Sequence, residues 1–155
     1  MIMADIGGEW GFEKSLLIKA SVETVWPHIG DSVRLSRWWC PPPTVRITFA
    51  PVEGAPFREQ YKDASYEYML TGEVTAYEEP RLLAIRRVTS GRFGPADCVT
   101  IVLTPRGGQT AVTIAHSFEE ILPERRGEAR DFYADGWAFS LSLLEAEVSR
   151  FVRDA

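Results

Sequence analysis

The sequence predicts an α+β domain: a curved antiparallel sheet wrapped around one long C-terminal helix. Three observations predict it. Residues 44–118 are dominated by runs that alternate apolar and polar side chains. Turn residues, not helical crossovers, separate those runs, which implies antiparallel neighbours with one buried face. From residue 123 onward the apolar spacing changes to three and four, the period of a helix. A one-faced sheet and a one-striped helix each need the other to keep their apolar surfaces dry.

The elements follow in order. Residues 1–10, "MIMADIGGEW", read as a loosely ordered leading segment of a single domain covering residues 1–155. A first strand is predicted over about residues 12–18. "SVETVWPHI" then starts a helix, with Ser21 as N-cap and Thr24 where a full capping box would have Glu or Gln. Val22, Val25, Trp26 and Ile29 form its apolar stripe, and Pro27 makes it short or bent. "DSVRLSRWW" offers a second short helix, capped by Asp31 or Ser32 and ended by Pro41, Pro42 and Pro43. Trp38 and Trp39 would point about 100° apart on a helix, so one should face the core and the other a rim or solvent.

Six strands are expected next. "TVRITFA" alternates on Val45, Ile47 and Phe49, and "PFREQY" on Phe57, Glu59 and Tyr61. "YEYMLTGEVTAY" sets Tyr66, Tyr68, Leu70, Gly72, Val74 and Ala76 on one face. "RLLAIRRVT" follows a Glu-Glu-Pro turn. "DCVTIVLTP" groups Val99, Ile101 and Leu103, and "QTAVTIAHSF" groups Val112, Ile114, His116 and Phe118. Gly107 and Gly108 between the last two suit a tight hairpin. The closing helix runs from Pro123 to about Arg153, with Tyr133, Trp137, Leu141, Leu144, Val148 and Phe151 on its stripe.

Composition excludes several classes. The chain of 155 residues carries a net charge of −5, against the basic footprint of nucleic-acid binders. No apolar run approaches the roughly 20 residues of a membrane span. No signal-peptide pattern opens the chain, so cytoplasmic residence is the default expectation. Two His and two Cys lie scattered, with no metal-ligand spacing, and no cofactor motif is legible; "GRFGP" lacks the spacing and the Lys of a phosphate loop. Neither a metal nor a cofactor is expected.

The chemistry-bearing candidates are few. His116 lies on an apolar parity and is the best acid–base candidate, set against a satisfied core histidine. Glu59 is either a buried carboxylate paired with Arg86 or Arg87, or half of an ion pair on the wet face. His28 is expected to be exposed or capping. Cys98 falls off the Val99 face, and Cys40 is a weak candidate for a reactive thiol. Arg125, Arg126 and Arg130 read as a solvated helix face that could also meet a partner. Tyr61, Tyr68, Tyr133 and Trp137 each carry one polar atom that must find a protein, water or ligand partner, because leaving it unpaired costs about 1–3 kcal/mol.

This order of elements, with several local stretches, resembles the START-like helix-grip superfamily. Within it the sequence is similar to the branch of the activator of the heat-shock protein 90 ATPase, grouped with polyketide cyclases. The stretches are "IKASVETVW", "LSRWWCPP", "LTGEVTAYEEPRLLAI", "VTIVLTPRGGQTAVTIAHSF" and "GWAFSLSLLEAEV". They span nearly all the chain after residue 12. "APVEGAPFREQY" departs from the pattern, with one glycine, Gly54, where a paired-glycine turn is common.

The resemblance implies a cavity between sheet and helix that takes an apolar small molecule, lipid-like, aromatic or polyketide-like. Its expected walls are Trp38, Trp39, Phe57, Tyr61, Tyr68, Leu70, His116, Phe118, Tyr133, Trp137 and Leu141. A second reading is a cyclase or dehydratase using His116 with Glu59 or a tyrosine. A third is a module that binds a chaperone ATPase. A homodimer is compatible with all three.

Overall fold

The computed structural model describes residues 3–8, 10–39, 46–88 and 93–154. Strands β1 (Met3–Gly8) and β2 (Gly11–Ile18) lead into three short helices, α1 (Val22–Val25), α2 (Pro27–Gly30) and α3 (Ser32–Ser36). Six strands follow: β3 (Arg46–Thr48), β4 (Pro56–Lys62), β5 (Glu67–Glu78), β6 (Leu82–Val88), β7 (Ala96–Arg106) and β8 (Gln109–Ser117). A 3₁₀ turn at Pro123–Arg125 opens into the 29-residue helix α4 (Arg126–Asp154). All strand pairs are antiparallel, in the order β1-β2-β8-β7-β6-β5-β4-β3. This is the expected α+β helix-grip architecture.

Local chemistry explains the element ends. Ser21 Oγ accepts from Thr24 N at 3.3 Å, the N-cap bond, and meets Thr24 Oγ1 at 3.0 Å. Pro27 cannot donate into the preceding turn, and the predicted single helix divides there into α1 and α2. Asp31 caps α3 by accepting from Val33 N. The hairpin between β7 and β8 turns on Gly107 and Gly108, both at positive φ (58° and 85°).

The fold departs from the sequence reading in four places. Residues 3–8 form strand β1, paired with β2 around a turn at Trp10, where a loosely ordered segment was expected. A β-bulge between Val74 and Ala76 shifts the register of β5, so Tyr77 pairs with buried Leu83 and takes the inner position predicted for Ala76. Tyr66 precedes β5 and is half exposed. Phe151 ends the helical stripe but is 45% exposed, while Tyr133, Trp137, Leu141, Leu144 and Val148 pack into the core. Cys40, Pro41, Pro42, Pro43 and Val45 lie outside the described residues.

The core lies between the concave sheet face and α4. Burying each large apolar side chain there stabilises the fold by about 1.5–3 kcal/mol. Trp38, Trp39 and Trp137 are all fully buried, which overturns the expectation that one of the paired tryptophans faces a rim. The reason is positional. The chain keeps turning past Ser36, with Trp39 N–H donating to the Leu35 carbonyl at 3.1 Å, and both indoles are covered, Trp38 by α2 and Trp39 by β4 and Trp137. Trp38 donates from Nε1 to the His28 carbonyl at 2.8 Å, and Trp39 from Nε1 to Glu59 Oε1 at 2.8 Å.

Candidate functional site

Strand parity brings four polar side chains onto the inner face among apolar neighbours. Glu59 shares its face with Phe57 on β4. Arg87 follows Leu83 and Ile85 on β6. Asp97 precedes Val99 on β7, and His116 follows Ile114 on β8. All four are 0–1% exposed. In the sheet, Arg87 pairs with Gly72, which pairs with Phe57. A Cβ on Gly72 would sit 2.1 Å from the Arg86 carbonyl oxygen, so only glycine fits that close strand approach. Its empty inner side leaves room for Arg87 to reach across β5 to Glu59.

The four join into one network. Arg87 donates from Nε and Nη2 to the two oxygens of Asp97, at 2.8 and 2.7 Å, a bidentate pair. Its Nη1 donates to Glu59 Oε1 at 2.9 Å. Glu59 Oε1 also accepts from Trp39, and Oε2 accepts from the Tyr68 hydroxyl at 2.6 Å. The sequence left Glu59 between two sheet faces and two arginines. It is buried and holds Arg87, while Arg86 faces out and forks onto Glu120 at 2.8 and 2.7 Å.

His116 sits at the other end of the network. Trp137 Nε1 donates to its Nδ1 at 3.1 Å, and its Nε2 lies 2.7 Å from Asp97 Oδ2. An indole N–H can only donate, so Nδ1 is unprotonated and Nε2–H donates to Asp97. The imidazole is therefore neutral, and a proton on Nδ1 would face another proton. Burial lowers its pKa, opposed by Asp97. Phe12, Phe118, Tyr133 and Trp137 enclose the ring at centroid distances of 4.4–6.3 Å.

Asp97 and Arg87 remain charged here. Burial opposes the Arg87 charge, but Asp97 and Glu59 outweigh it and hold its pKa well above the ordinary value. Burial pushes Asp97 up, and Arg87 and His116 more than offset that, leaving it well below the carboxylate range. Burial and then the Glu59 charge raise Tyr68, whose hydroxyl stays protonated. Burial lifts Tyr133 to about 12, and Arg87 lies 5.5 Å over its ring.

The expected wall residues divide into two groups. Trp38, Trp39, Phe57, His116, Phe118, Trp137 and Leu141 are sealed in the core, and Tyr133 is 8% exposed. Tyr61, Tyr68 and Leu70 share the inner face yet stay partly exposed at the β4–β5 end of the sheet. There Tyr61 and Tyr68, direct cross-strand partners, stack with an interplanar angle of 7° and centroids 5.5 Å apart.

Several other expectations change. His28 is 2% exposed with neither ring nitrogen bonded, against an exposed or capping residue, because α2 turns it toward Phe151 of α4. Arg126 and Arg130 donate to main-chain oxygens of Ile121, Glu119 and Gly11, so this part of the basic segment ties the helix to the sheet. Burial raises the Cys98 thiol pKa, which suppresses its thiolate. Asp97 was absent from the sequence candidates, although it shares the parity of Val99 and Ile101. Among the described residues no three His, Cys, Asp or Glu side chains converge for a metal, and no helix is long and apolar enough to cross a membrane.

Comparison with known proteins follows the same architecture. The model of the family described as "Activator of Hsp90 ATPase homolog 1-like protein" matches residues 19–149. A protein from Arthrobacter aurescens, solved by NMR, superposes with a TM-score of 0.78 at 21% identity, covering 97% of this chain and 93% of that one. A Rhodobacter sphaeroides protein gives 0.77 at 21% identity, covering 96% and 99%. CalU16 from Micromonospora echinospora gives 0.67 at 19% identity, covering 95% and 83%. At these identities the likeness establishes the fold alone. No curated protein matches the sequence at a significant level.

Proposed function

Since the chain belongs to the activator of Hsp90 ATPase homolog 1-like family and has a helix-grip fold, we propose that it binds an apolar, aromatic-sized small molecule on the concave sheet face. One observation carries this reading. Along β4 and β5 the inner residues Phe57, Glu59 and Val74 are sealed, whereas Tyr61, Tyr68 and Leu70 on the same face remain accessible. A folded domain that leaves stacked aromatics and a leucine uncovered on its inner face has room for an apolar guest.

The polar contact is the Tyr68 oxygen. Its proton is committed to Glu59 Oε2, so toward a ligand it can only accept. The favoured ligand is thus apolar with one hydrogen-bond donor. The buried network beneath fixes Tyr68 rather than reacting. Both His116 nitrogens are engaged, and the Glu59 carboxylate already accepts from three donors. Acid–base chemistry by either group would first have to break those bonds, so binding is favoured over a cyclase or dehydratase.

Titration with the fluorescent probe N-phenyl-1-naphthylamine tests the reading. Saturable enhancement is expected for the native chain, with Leu70→Lys weakening it more than tenfold and Tyr68→Phe several-fold. Phe139→Lys, on the exposed side of α4, should leave it unchanged. Equal binding by all variants, or none by the native chain, sinks the proposal.

A further inference from the structure

A cavity lies at the end of β5 opposite Tyr68. Nine residues separate Tyr77 from Tyr68, on the order of 30 Å along a strand. The cavity measures about 340 Å³, within the range of small-molecule pockets. Its lining includes the buried Trp26 and Phe49, the partly exposed Gly30 and Tyr77, and the exposed Asp31 and Glu79. No lysine or arginine is among its described lining residues.

The aromatic wall is built, not incidental. Trp26 and Tyr77 meet edge to face, with centroids 5.5 Å apart and planes at 70°. The Tyr77 hydroxyl donates to the Gly30 carbonyl at 3.4 Å. A Cβ on Gly30 would lie 2.6 Å from both Trp26 Nε1 and the Tyr77 oxygen, so glycine makes this three-way contact fit. Burial raises the Tyr77 pKa, the Trp26 indole beside it lowers it, and the charges of Glu79 and Asp31 raise it further. Asp31 accepts from Val33 N at 3.4 Å and has a long ion-pair contact to Arg34 at 3.8 Å. Glu79 has no ion-pair partner among the described residues, and it is exposed.

Aromatic faces attract cations through their quadrupoles, and carboxylates at the rim add charge complementarity. We propose that this cavity binds a small free organic cation, an alkyl- or quaternary ammonium ion, between the Trp26, Phe49 and Tyr77 rings and the Asp31 and Glu79 carboxylates. The site lies at the other end of β5 from Tyr68, so the chain would hold an apolar guest at one end and a cation at the other.

The test compares choline with its neutral isostere 3,3-dimethylbutan-1-ol. The readout is the Trp26 indole N–H signal in ¹H–¹⁵N spectra, at ionic strength held constant with potassium chloride. Saturable shifts with choline are expected, with the isostere at least tenfold weaker. Tyr77→Leu should weaken choline binding about tenfold, and Glu79→Gln several-fold. Glu79 is exposed, so its variant keeps the test decisive should Tyr77→Leu unfold. Equal binding of the isostere, an unsaturable response to choline, or unchanged binding by Glu79→Gln overturns the proposal.

Discussion

Replacing Arg87 with methionine removes the only cation of the buried network and keeps most of the side-chain volume. The guanidinium is 1% exposed and makes three hydrogen bonds to two carboxylates that are equally buried. Without it, Asp97 loses its bidentate partner, and Glu59 keeps only the neutral donors Trp39 and Tyr68. Breaking a buried ion pair from one side costs about 3–5 kcal/mol, because a buried charge is left uncompensated. A domain of this size is stable by about 5–15 kcal/mol in all. The expected fall in melting temperature is roughly 6–20 °C, taking about 2–4 °C per kcal/mol. Thermal and urea melts followed by circular dichroism measure it. Neutralising the orphaned anions as well, in the triple variant Glu59→Gln, Arg87→Met, Asp97→Asn, should recover part of the loss. A loss below about 1 kcal/mol for Arg87→Met, or a triple variant less stable than the single one, refutes the reasoning.

Other perturbations bear on the same structure. Trp137→Phe removes the donor to His116 Nδ1; the ¹⁵N signals of His116 should then depart from the single Nε2–H tautomer, with a stability loss of about 1–3 kcal/mol. Gly72→Ala drives a methyl into the Arg86 carbonyl and should destabilise by more than the roughly 1 kcal/mol typical of a point mutant, read from the urea midpoint. Stability should also depend on pH with a definite sign. Burial lowers both histidine pKa values from 6.5, so the unfolded chain binds protons more readily. Their contribution is full above pH 6.5 and is lost as pH falls toward the depressed folded values. The lowered Asp97 pKa adds a further loss below pH 3.8. Urea midpoints at neutral and mildly acidic pH check this, and a higher midpoint in acid contradicts it.

The fold was legible because its two periods are clean. The hairpin glycines, the caps Ser21 and Asp31, and the stripe from Tyr133 to Val148 all stand where spacing places them. What spacing cannot supply is a contact between distant elements. Glu59 could have faced either side of the sheet until the register set it opposite Leu70 and within reach of Arg87. Asp97 shares the parity of Val99 and Ile101, but spacing does not show the Arg87 and His116 partners that let an acid sit on the inner face. Tyr77 was hidden by a bulge, which reverses parity without a sequence mark. β1 was hidden because an edge strand can be held by main-chain bonds to its neighbour, without the alternation that marks a half-buried strand. The tryptophan pair misled for a related reason: a helical angle does not say what covers each side chain, and α2 covers Trp38 while β4 covers Trp39.

The most direct test of the account is where an apolar guest sits. ¹H–¹⁵N spectra of the native chain titrated with N-phenyl-1-naphthylamine should show saturable shifts centred on Tyr61, Tyr68 and Leu70, weakening toward Phe57 and Val74. Shifts confined to the exposed face of α4 around Phe132 and Phe139, or no saturable shift anywhere, would contradict it.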